Sequence, residues 1–167
     1  MGDTMRSIPL LLILGGLSGA EAAAIVLQED FADPATIAKA WRGPGAADDG
    51  GWRITLPAVG TAKASASLPA ASIAGRTVRL SARVRSEGVS PRPQPWNGVK
   101  VLLALVDGSG GKSYPQLATV DGTRPWSVLQ KDLAIPAGVA KADVVIGLEN
   151  VSGSVWFDDV RVEVVGQ

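Results

Sequence analysis

The sequence has 167 residues, enough for one ordinary domain, and its 16 basic and 16 acidic side chains leave no formal net charge. This balance gives no electrostatic reason to expect nucleic acid or an anionic membrane as a partner. Because the chain contains neither histidine nor cysteine, imidazole general bases, thiol nucleophiles, Ser-His-Asp triads, disulfides and the usual zinc sites are excluded.

The N-terminal segment has the order of features found in a secretory signal peptide. Arg6 precedes the uncharged stretch SIPLLLILGGLSG, and the small residues of AEAAA supply cleavage sites that end at Ala22 or Ala24. The apolar stretch is too short for a stable membrane anchor. We therefore expect a signal peptide at 1–24, one domain at 25–167, and a secreted or periplasmic product that leaves the membrane after cleavage. The alternative is a buried N-terminal helix.

The rest of the chain is a series of strand-like segments separated by Gly, Pro, Asp and Asn. The predicted strands are IVLQEDF (25–31), GWRITL (51–56), AKASASL (62–68), RTVRLSARVR (76–85), GVKVLLALVD (98–107), WSVLQKDLAI (126–135), DVVIGLE (143–149) and SVWFDDVRVEVV (154–165). Only DPATIAKAW (33–41) is predicted to be helical, with Asp33 as its N-cap and Pro34 at its first position. This spacing predicts an all-β fold, a two-sheet antiparallel β-sandwich or jelly roll.

Two of these strands have informative faces. Residues 76–85 alternate apolar and polar side chains, which predicts a half-buried strand. Its outer face carries a basic row, Arg79, Arg83 and Arg85. This row is either an ordinary solvated face or a surface that binds acidic polysaccharides. Residues 98–107 are apolar on both faces for most of their length, which predicts a central strand that is buried on both sides and carries Lys100 as its one charge before the terminal Asp107.

The C-terminal third resembles the closing part of a known module. The stretch GTRPWSVLQKDLAIPAGVAKADVVIGLENVSGSVWFDDVRVEVV (122–165) is similar to jelly-roll carbohydrate-binding modules of the family 4, 9 and 22 type, which are galactose-binding-domain-like. In that group a Trp opens a strand, a P-x-G turn follows, and a strand with the pattern G-x-x-W/Y-F-D-D-V closes the fold. PWNGVKVLLALVDGSGGKSYPQ (95–116) and LQEDF (27–31) resemble the middle segment and the first strand of modules attached to bacterial polysaccharide-degrading enzymes.

The last predicted strand carries two adjacent carboxylates, Asp158 and Asp159, in an apolar setting. Successive side chains of a strand point to opposite faces. If the alternate valines of 160–164 form the inward row, Asp158 shares their face and Asp159 points outward. In the alternative arrangement, Val155 and Phe157 face inward. Phe157 must then be covered by another part of the chain, or the strand must contain a β-bulge.

The resemblance also implies a metal site. In related jelly rolls the first Asp of this pair ligates a structural calcium together with an acidic residue of the first strand, which here implies Ca²⁺ held by Asp158 with Glu29 or Asp30. An inward carboxylate needs a proton, hydrogen bonds or a cation, and calcium prefers hard carboxylate and carbonyl oxygens. The alternative is that Asp158 accepts hydrogen bonds from backbone N–H groups and that no metal binds.

Binding of a sugar would depend on aromatic side chains, because sugar rings present apolar C–H faces that stack on them. Trp96 follows the proline-rich loop 90–95 and Tyr114 follows the turn GSGGK, so both positions favour exposure, whereas Trp126 either joins them or packs in the core. The polar candidates for the same face or its rim are Asn97, Lys100, Gln116 and Glu149.

We therefore expect a monomeric module that binds a carbohydrate polymer, such as a plant or microbial glycan, without cleaving it. One alternative is an extracellular structural or protein-interaction module with the same fold, since no catalytic domain is recognisable beside it. A small glycosidase or lyase is a third hypothesis. Glycosidases need two carboxylates, and although Glu29, Glu87, Asp132 and Glu149 are available, no motif groups them.

Overall fold

The computed structural model of the protein describes residues 23–167. Its elements in chain order are β1 (Ala24–Glu29), α1 (Pro34–Ala40), β2 (Trp41–Arg42), β3 (Ala46–Asp48), β4 (Gly51–Leu68), α2 (Ala70–Ile73), β5 (Thr77–Val89), β6 (Gly98–Asp107), β7 (Lys112–Ser113), β8 (Gly122–Ala134) and β9 (Val139–Gly166). The signal peptide expected at 1–24 falls, except for its last two residues, outside this part of the chain. Within residues 23–167, neither helix has the length and hydropathy that a membrane crossing requires.

Two long strands, β4 and β9, each pass from one layer of the fold to the other. The second half of β9 pairs with β1, with β5 and with the first half of β4, and β8 extends this layer at β5; we call it sheet I. The first half of β9 pairs with β6 and with the second half of β4, and β2 and β7 extend this layer; we call it sheet II. All pairings are antiparallel, so the predicted two-sheet β-sandwich is confirmed.

Because β4 and β9 each continue from one sheet into the other, four predicted strands are two strands in the structure. The predicted strands 51–56 and 62–68 are one continuous β4, with a register irregularity between Leu56 and Gly60. The predicted strands 143–149 and 154–165 are likewise one β9, in which Asn150 takes a left-handed φ of 53°. Asparagine tolerates this conformation better than most residues, which suits the point where the strand turns towards the other sheet.

The hydrophobic core lies between the two sheets. Leu80 of β5, Leu103 of β6 and Phe157 of β9 are all fully buried in it, with 0% exposure. The alternation in β5 follows the prediction, with its apolar row inward. The first six residues of β6 are buried on both faces as predicted. However, β6 is not central: in the part of the chain that the structure describes, no strand longer than the two-residue β7 pairs with its far edge, where an isolated bridge joins Leu102 to Gln116.

The helix α1 begins where the sequence predicts. Asp33 is its N-cap, and the Asp33 carboxylate accepts hydrogen bonds from the Ala35 backbone N–H at 3.0 Å and from the Thr36 hydroxyl at 2.6 Å. Pro34 occupies the first helical position, where its missing N–H costs nothing. The side chain of Ile37 is buried and anchors this short helix to the core.

The expected inward orientation of Asp158 is wrong. Val155 and Phe157 are fully buried, and the inward row resumes at Val160, because the pairing of β5 with β9 shifts register here and Asp159 has a φ of 44°. This irregularity is a β-bulge, which the sequence analysis had left open as an alternative. In the register of β5 with β9, Asp158 lies opposite Arg83, on the outer face of sheet I.

Candidate functional site

A cleft of about 400 Å³ opens on the outer face of sheet II. Its wall residues Lys100 and Leu102 alternate along β6 with core residues such as Val101, which is why they point away from the core. The volume falls in the range of roughly 300–1,000 Å³ that is usual for small-molecule pockets. The cleft is lined by Lys63, Trp96, Lys100, Leu102, Tyr114, Gln116 and Glu149.

Two aromatic side chains stand at the cleft with much of their surface in solvent. Trp96 is 55% exposed and Tyr114 is 57% exposed. Single exposed apolar side chains are common on protein surfaces, but two aromatic rings lining one cleft form a surface that can stack against a ligand.

The loop that carries Trp96 is held rigidly at its base. The Arg92 guanidinium donates to the Asp121 carboxylate at 3.1 Å and to the Thr119 backbone carbonyl at 3.0 Å. The Thr119 hydroxyl in turn donates to the Pro95 carbonyl at 2.7 Å. Together with the prolines of 90–95, these bonds fix the position from which Trp96 projects, so little ordering entropy remains to be lost when a ligand binds.

Tyr114 and Gln116 reach the cleft because their segment runs along the edge of β6. The Leu103 N–H donates to the Pro115 carbonyl, and the Leu117 N–H donates to the Val101 carbonyl, both at 2.9 Å. These bonds extend sheet II by one short bridge. They place alternate side chains of the segment over the outer face.

Below the aromatic rings lies a group of four polar side chains, Lys63, Asn97, Lys100 and Glu149, which we call the charge cluster. The two carboxylate oxygens of Glu149 have different partners. Oε2 accepts a hydrogen bond from Lys63, whereas Oε1 accepts one from Asn97 Nδ2 at 3.0 Å and lies 3.2 Å from Lys100 Nζ. The cluster therefore joins β4, β6 and β9 across the width of sheet II.

Glycine at position 147 allows the side chains of β4 and β6 to meet Glu149 of β9. Gly147 is the register partner of both Lys63 and Lys100. A Cβ atom there would come within 2.2 Å of the Ala62 carbonyl oxygen, so β4 could not approach β9 as closely. Without a side chain at 147, the two lysines can extend towards Glu149 from opposite sides.

Lys100 uses its whole donor capacity inside the protein. Its side chain is only 4% exposed, and its ammonium group donates to the Trp96 carbonyl and to Gln116 Oε1 at 2.9 Å, with Glu149 Oε1 as the third acceptor. An ammonium group has three N–H donors, so none remains for a ligand. Lys100 therefore positions Trp96, Gln116 and Glu149, although it forms part of the cleft wall.

The carboxyl of Glu149 is held in its ionised form. Burial by itself would raise its pKa, but the hydrogen bonds and positive charges of Lys63 and Lys100 outweigh that effect and lower the pKa below its ordinary value of 4.5. The cluster is thus arranged around a carboxylate that stays charged at neutral pH.

This shift predicts a pH dependence of stability. Because the Glu149 pKa is lower in the folded state, its contribution is complete above about pH 4.5 and is lost as the pH falls through the folded-state value. We expect the melting temperature of the wild type to exceed that of Glu149→Gln by a margin that shrinks as the pH falls below 4.5. Other carboxylates titrate equally in both proteins and cancel. A constant margin over that range would contradict this account.

The structure gathers five of the seven predicted ligand residues at the cleft, namely Trp96, Lys100, Tyr114, Gln116 and Glu149. Asn97 is 1% exposed and lies beneath the cleft, where its amide supports Glu149. Trp126 lies elsewhere, on β8 of sheet I, where the Arg83 guanidinium is 5.1 Å from the centre of its ring. Ligand contact by any of the seven stays a prediction.

Two cleft residues, Lys63 and Leu102, were missed by sequence reasoning. Lys63 is the lone charge among the small residues of 62–68, a signal of the same kind as the one that drew attention to Lys100. Leu102 gave no distinguishing signal. It looked like any other apolar residue of β6 until the register placed it on the outer face.

The residues expected to hold calcium do not form a ligand set. Glu29 is 6% exposed and accepts a hydrogen bond from the Phe31 backbone N–H at 2.9 Å, while Asp30 is exposed and accepts one from Ala32. Asp158 is paired with Arg83 at 2.7 Å on the outer face of sheet I. Among residues 23–167, no three acidic, histidine or cysteine side chains are grouped so that they could hold a metal ion. Calcium binding stays a prediction, but these three residues do not fit it.

The basic row of β5 is neutralised by neighbouring acids. Arg79 makes a two-pronged hydrogen bond to Asp132 at 2.7 and 3.0 Å, and Arg83 pairs with Asp158. Arg85 pairs with Asp49 and lies over the Trp156 ring at 4.2 Å. These contacts favour the interpretation of this row as an ordinary outer face of the sandwich.

Comparison with solved structures finds a similar architecture in several carbohydrate-binding modules. The chain is similar to the C-terminal family 22 carbohydrate-binding module of Clostridium thermocellum Xyn10B, with a TM-score of 0.58, 18% identity, and coverage of 86% of this chain and 94% of that one. It is similar to the xylan-binding CBM22-1 domain of Paenibacillus barcinonensis Xyn10C, with a TM-score of 0.61, 17% identity, and coverage of 89% and 99%. A CBM4 structure matches with a TM-score of 0.54, 16% identity, and coverage of 76% and 78%.

These similarities establish the fold. At 16 to 18% identity they confirm the predicted jelly-roll β-sandwich fold. No protein-family model and no curated protein sequence matches the chain.

Proposed function

We propose that this protein binds a glycan chain, without cleaving it, in the cleft on the outer face of sheet II. The observation that carries the proposal is the meeting of Trp96 and Tyr114, both more than half exposed, over a polar floor formed by Gln116, Glu149 and Lys63. Aromatic rings suit the apolar faces of sugars, and the polar groups suit their hydroxyls. The solved neighbours, which include a xylan-binding domain, support the same ligand class.

The donors and acceptors of the cleft also favour binding over catalysis. Glycoside hydrolysis by the usual route needs two carboxylates on opposite sides of the scissile bond. Glu149 is the only carboxylate among the residues that line the cleft. Its low pKa, together with its contacts to two lysines and an asparagine, makes it a poor proton donor at neutral pH. Non-catalytic binding is therefore part of the proposal.

The partner and the place of action complete the proposal. We expect the protein to act as a monomer outside the cytoplasm, in the extracellular space or the periplasm, where polysaccharides are available. The signal-peptide pattern of residues 1–24 supports export.

A panel of polysaccharides tests the proposal. Electrophoresis through gels that contain xylan, mixed-linkage glucan or pectin should show retardation of the wild type by at least one polymer. Matching oligosaccharides should change its tryptophan fluorescence, with no release of reducing ends. Failure of every polymer and oligosaccharide to bind would overturn the proposal and favour a protein-interaction module.

Trp126 offers a control for the location of the binding surface. It is a large aromatic residue outside the cleft, on the other sheet. We expect Trp126→Ala to bind the retained polymer within about twofold of the wild type, because Trp126 is not among the residues that line the cleft and distant sites usually act independently. Loss of binding in Trp126→Ala would move the proposed surface to sheet I.

A further inference from the structure

The hydrogen-bonding groups that the cleft leaves free are mostly donors. Three of the roughly four acceptor positions of the Glu149 carboxylate face Lys63, Lys100 and Asn97. The three donors of Lys100 are all used within the protein. Little acceptor capacity therefore remains at the charged floor of the cleft.

Lys63 differs from Lys100 in this respect. Its ammonium group donates to Glu149, and its side chain is 33% exposed, against 4% for Lys100. An ammonium group has three N–H donors, so two of them stay available at the cleft wall. Lys63 is thus the cation of the cleft that a ligand can reach.

Gln116 adds two further donors with a defined orientation. Its Oε1 accepts from Lys100 at 2.9 Å, and only the oxygen of the amide can accept from an ammonium group. The NH₂ group of Gln116 is therefore the part left for a ligand. Together with Lys63, it gives the cleft four free N–H donors.

The net charge of the cleft also favours a ligand that accepts hydrogen bonds. Two ammonium groups and one carboxylate line it, which leaves a net charge of +1, and no other charged residue contributes to its wall. A neutral sugar hydroxyl both donates and accepts, so it uses such a surface incompletely. An anionic oxygen group only accepts, and its hydrogen bonds to charged donors are stronger than those between neutral groups.

We propose that the cleft prefers an acidic glycan, whose uronic acid carboxylate accepts hydrogen bonds from Lys63 and Gln116 while a sugar ring stacks on Trp96. This inference rests on the proposed glycan binding and specifies its ligand class. A sulfate ester presents similar anionic oxygens, so the experiment includes both kinds of anion.

The test uses pairs of polymers in which the uronic acid carboxylate is either charged or converted to a neutral group. Binding of glucuronoxylan is compared with binding of its carboxyl-reduced form, and polygalacturonate with its methyl ester, by calorimetry. A sulfated galactan and its desulfated form make a third pair. We expect about tenfold tighter binding of the carboxylate forms, the usual size of one charge-assisted hydrogen bond, and a smaller difference at high salt.

Variants of Lys63 test whether this residue causes the preference for acidic polymers. Lys63→Gln should lose the preference for carboxylate polymers over their neutral forms, because a neutral amide cannot supply the charge-assisted hydrogen bond to a carboxylate. Lys63→Arg should keep the preference. Lys131→Gln, an equal change of net charge at an exposed position of β8 on sheet I, should behave as the wild type. Melting curves confirm that each variant is folded.

The outcomes separate this inference from the proposed function. Equal or tighter binding of the neutral polymers would overturn the acidic preference and leave glycan binding standing. Preference for the sulfated polymer alone would overturn the assignment to a carboxylate. If neither member of any pair binds, the proposed function fails, and the preference fails with it.

Discussion

Trp96→Ala is expected to weaken binding of the retained glycan by about thirtyfold, because aromatic residues at the centre of a binding surface typically contribute about 2 kcal/mol or more. Trp96 has the attributes of such a residue. It is 55% exposed in the absence of ligand, lines the cleft, and projects from a loop that Arg92 and Thr119 hold in place. Calorimetry with a soluble oligosaccharide measures the loss.

The same substitution should leave stability nearly unchanged. The backbone carbonyl of residue 96, which accepts a hydrogen bond from Lys100, is retained in alanine. Exposed substitutions usually change the free energy of unfolding by no more than about 0.5 kcal/mol. Trp96→Phe, which keeps a ring, should recover part of the affinity. A fall in melting temperature of many degrees would mean that the indole stabilises the core and that the glycan binds elsewhere.

Glu149→Ala is expected to destabilise the protein by about 3–5 kcal/mol, the usual cost of removing one partner from a buried ion pair. The reason lies in the exposure of Lys100, whose side chain is 4% accessible and whose ammonium would lose its only carboxylate partner. The amide of Asn97, which is 1% exposed, would lose its acceptor as well. Urea unfolding followed by tryptophan fluorescence measures the change in the free energy of unfolding.

A second variant identifies the stranded charge as the cause. Replacing Lys100 by methionine in the Glu149→Ala background removes the unpaired ammonium at similar volume, so the double variant should be more stable than the sum of the two single losses. Asp132→Ala breaks the pair with Arg79 at the solvated outer face of sheet I and should cost much less. Strict additivity of the losses from Glu149→Ala and Lys100→Met would contradict this account of the cluster.

The strand framework follows from the sequence because it depends on local order. The period-two alternation of 76–85 and the doubly apolar run of 98–107 predict β5 and β6 closely. The pair Asp33 and Pro34 marks the start of α1 through chemistry confined to one turn. The proline-rich and glycine-rich segments before Trp96 and Tyr114 likewise indicated exposure, which the structure bears out.

The alternation of inward and outward side chains could not be followed through the last strand from the sequence. A single extra residue in a strand exchanges inward and outward positions beyond it, and nothing in the run SVWFDDVRVEVV signals where that residue lies. The bulge at Asp159 therefore turned Asp158 towards Arg83 and away from the core. The resemblance implied calcium ligation by Asp158, and the expected inward position of Asp158 assumed an unbroken alternation that the strand does not keep.

The sequence by itself thus determined the elements, the all-β class and the two exposed rings, because alternation, capping and turn residues act over a few positions. Only the tertiary structure decided which polar side chains share the cleft. Lys63 and Glu149 are 86 positions apart and meet through the pairing of β4 with β9, while Trp126 is carried to the other sheet. Strand register and the passage of strands between sheets are long-range choices, set by burial of the whole core, and no local pattern encodes them.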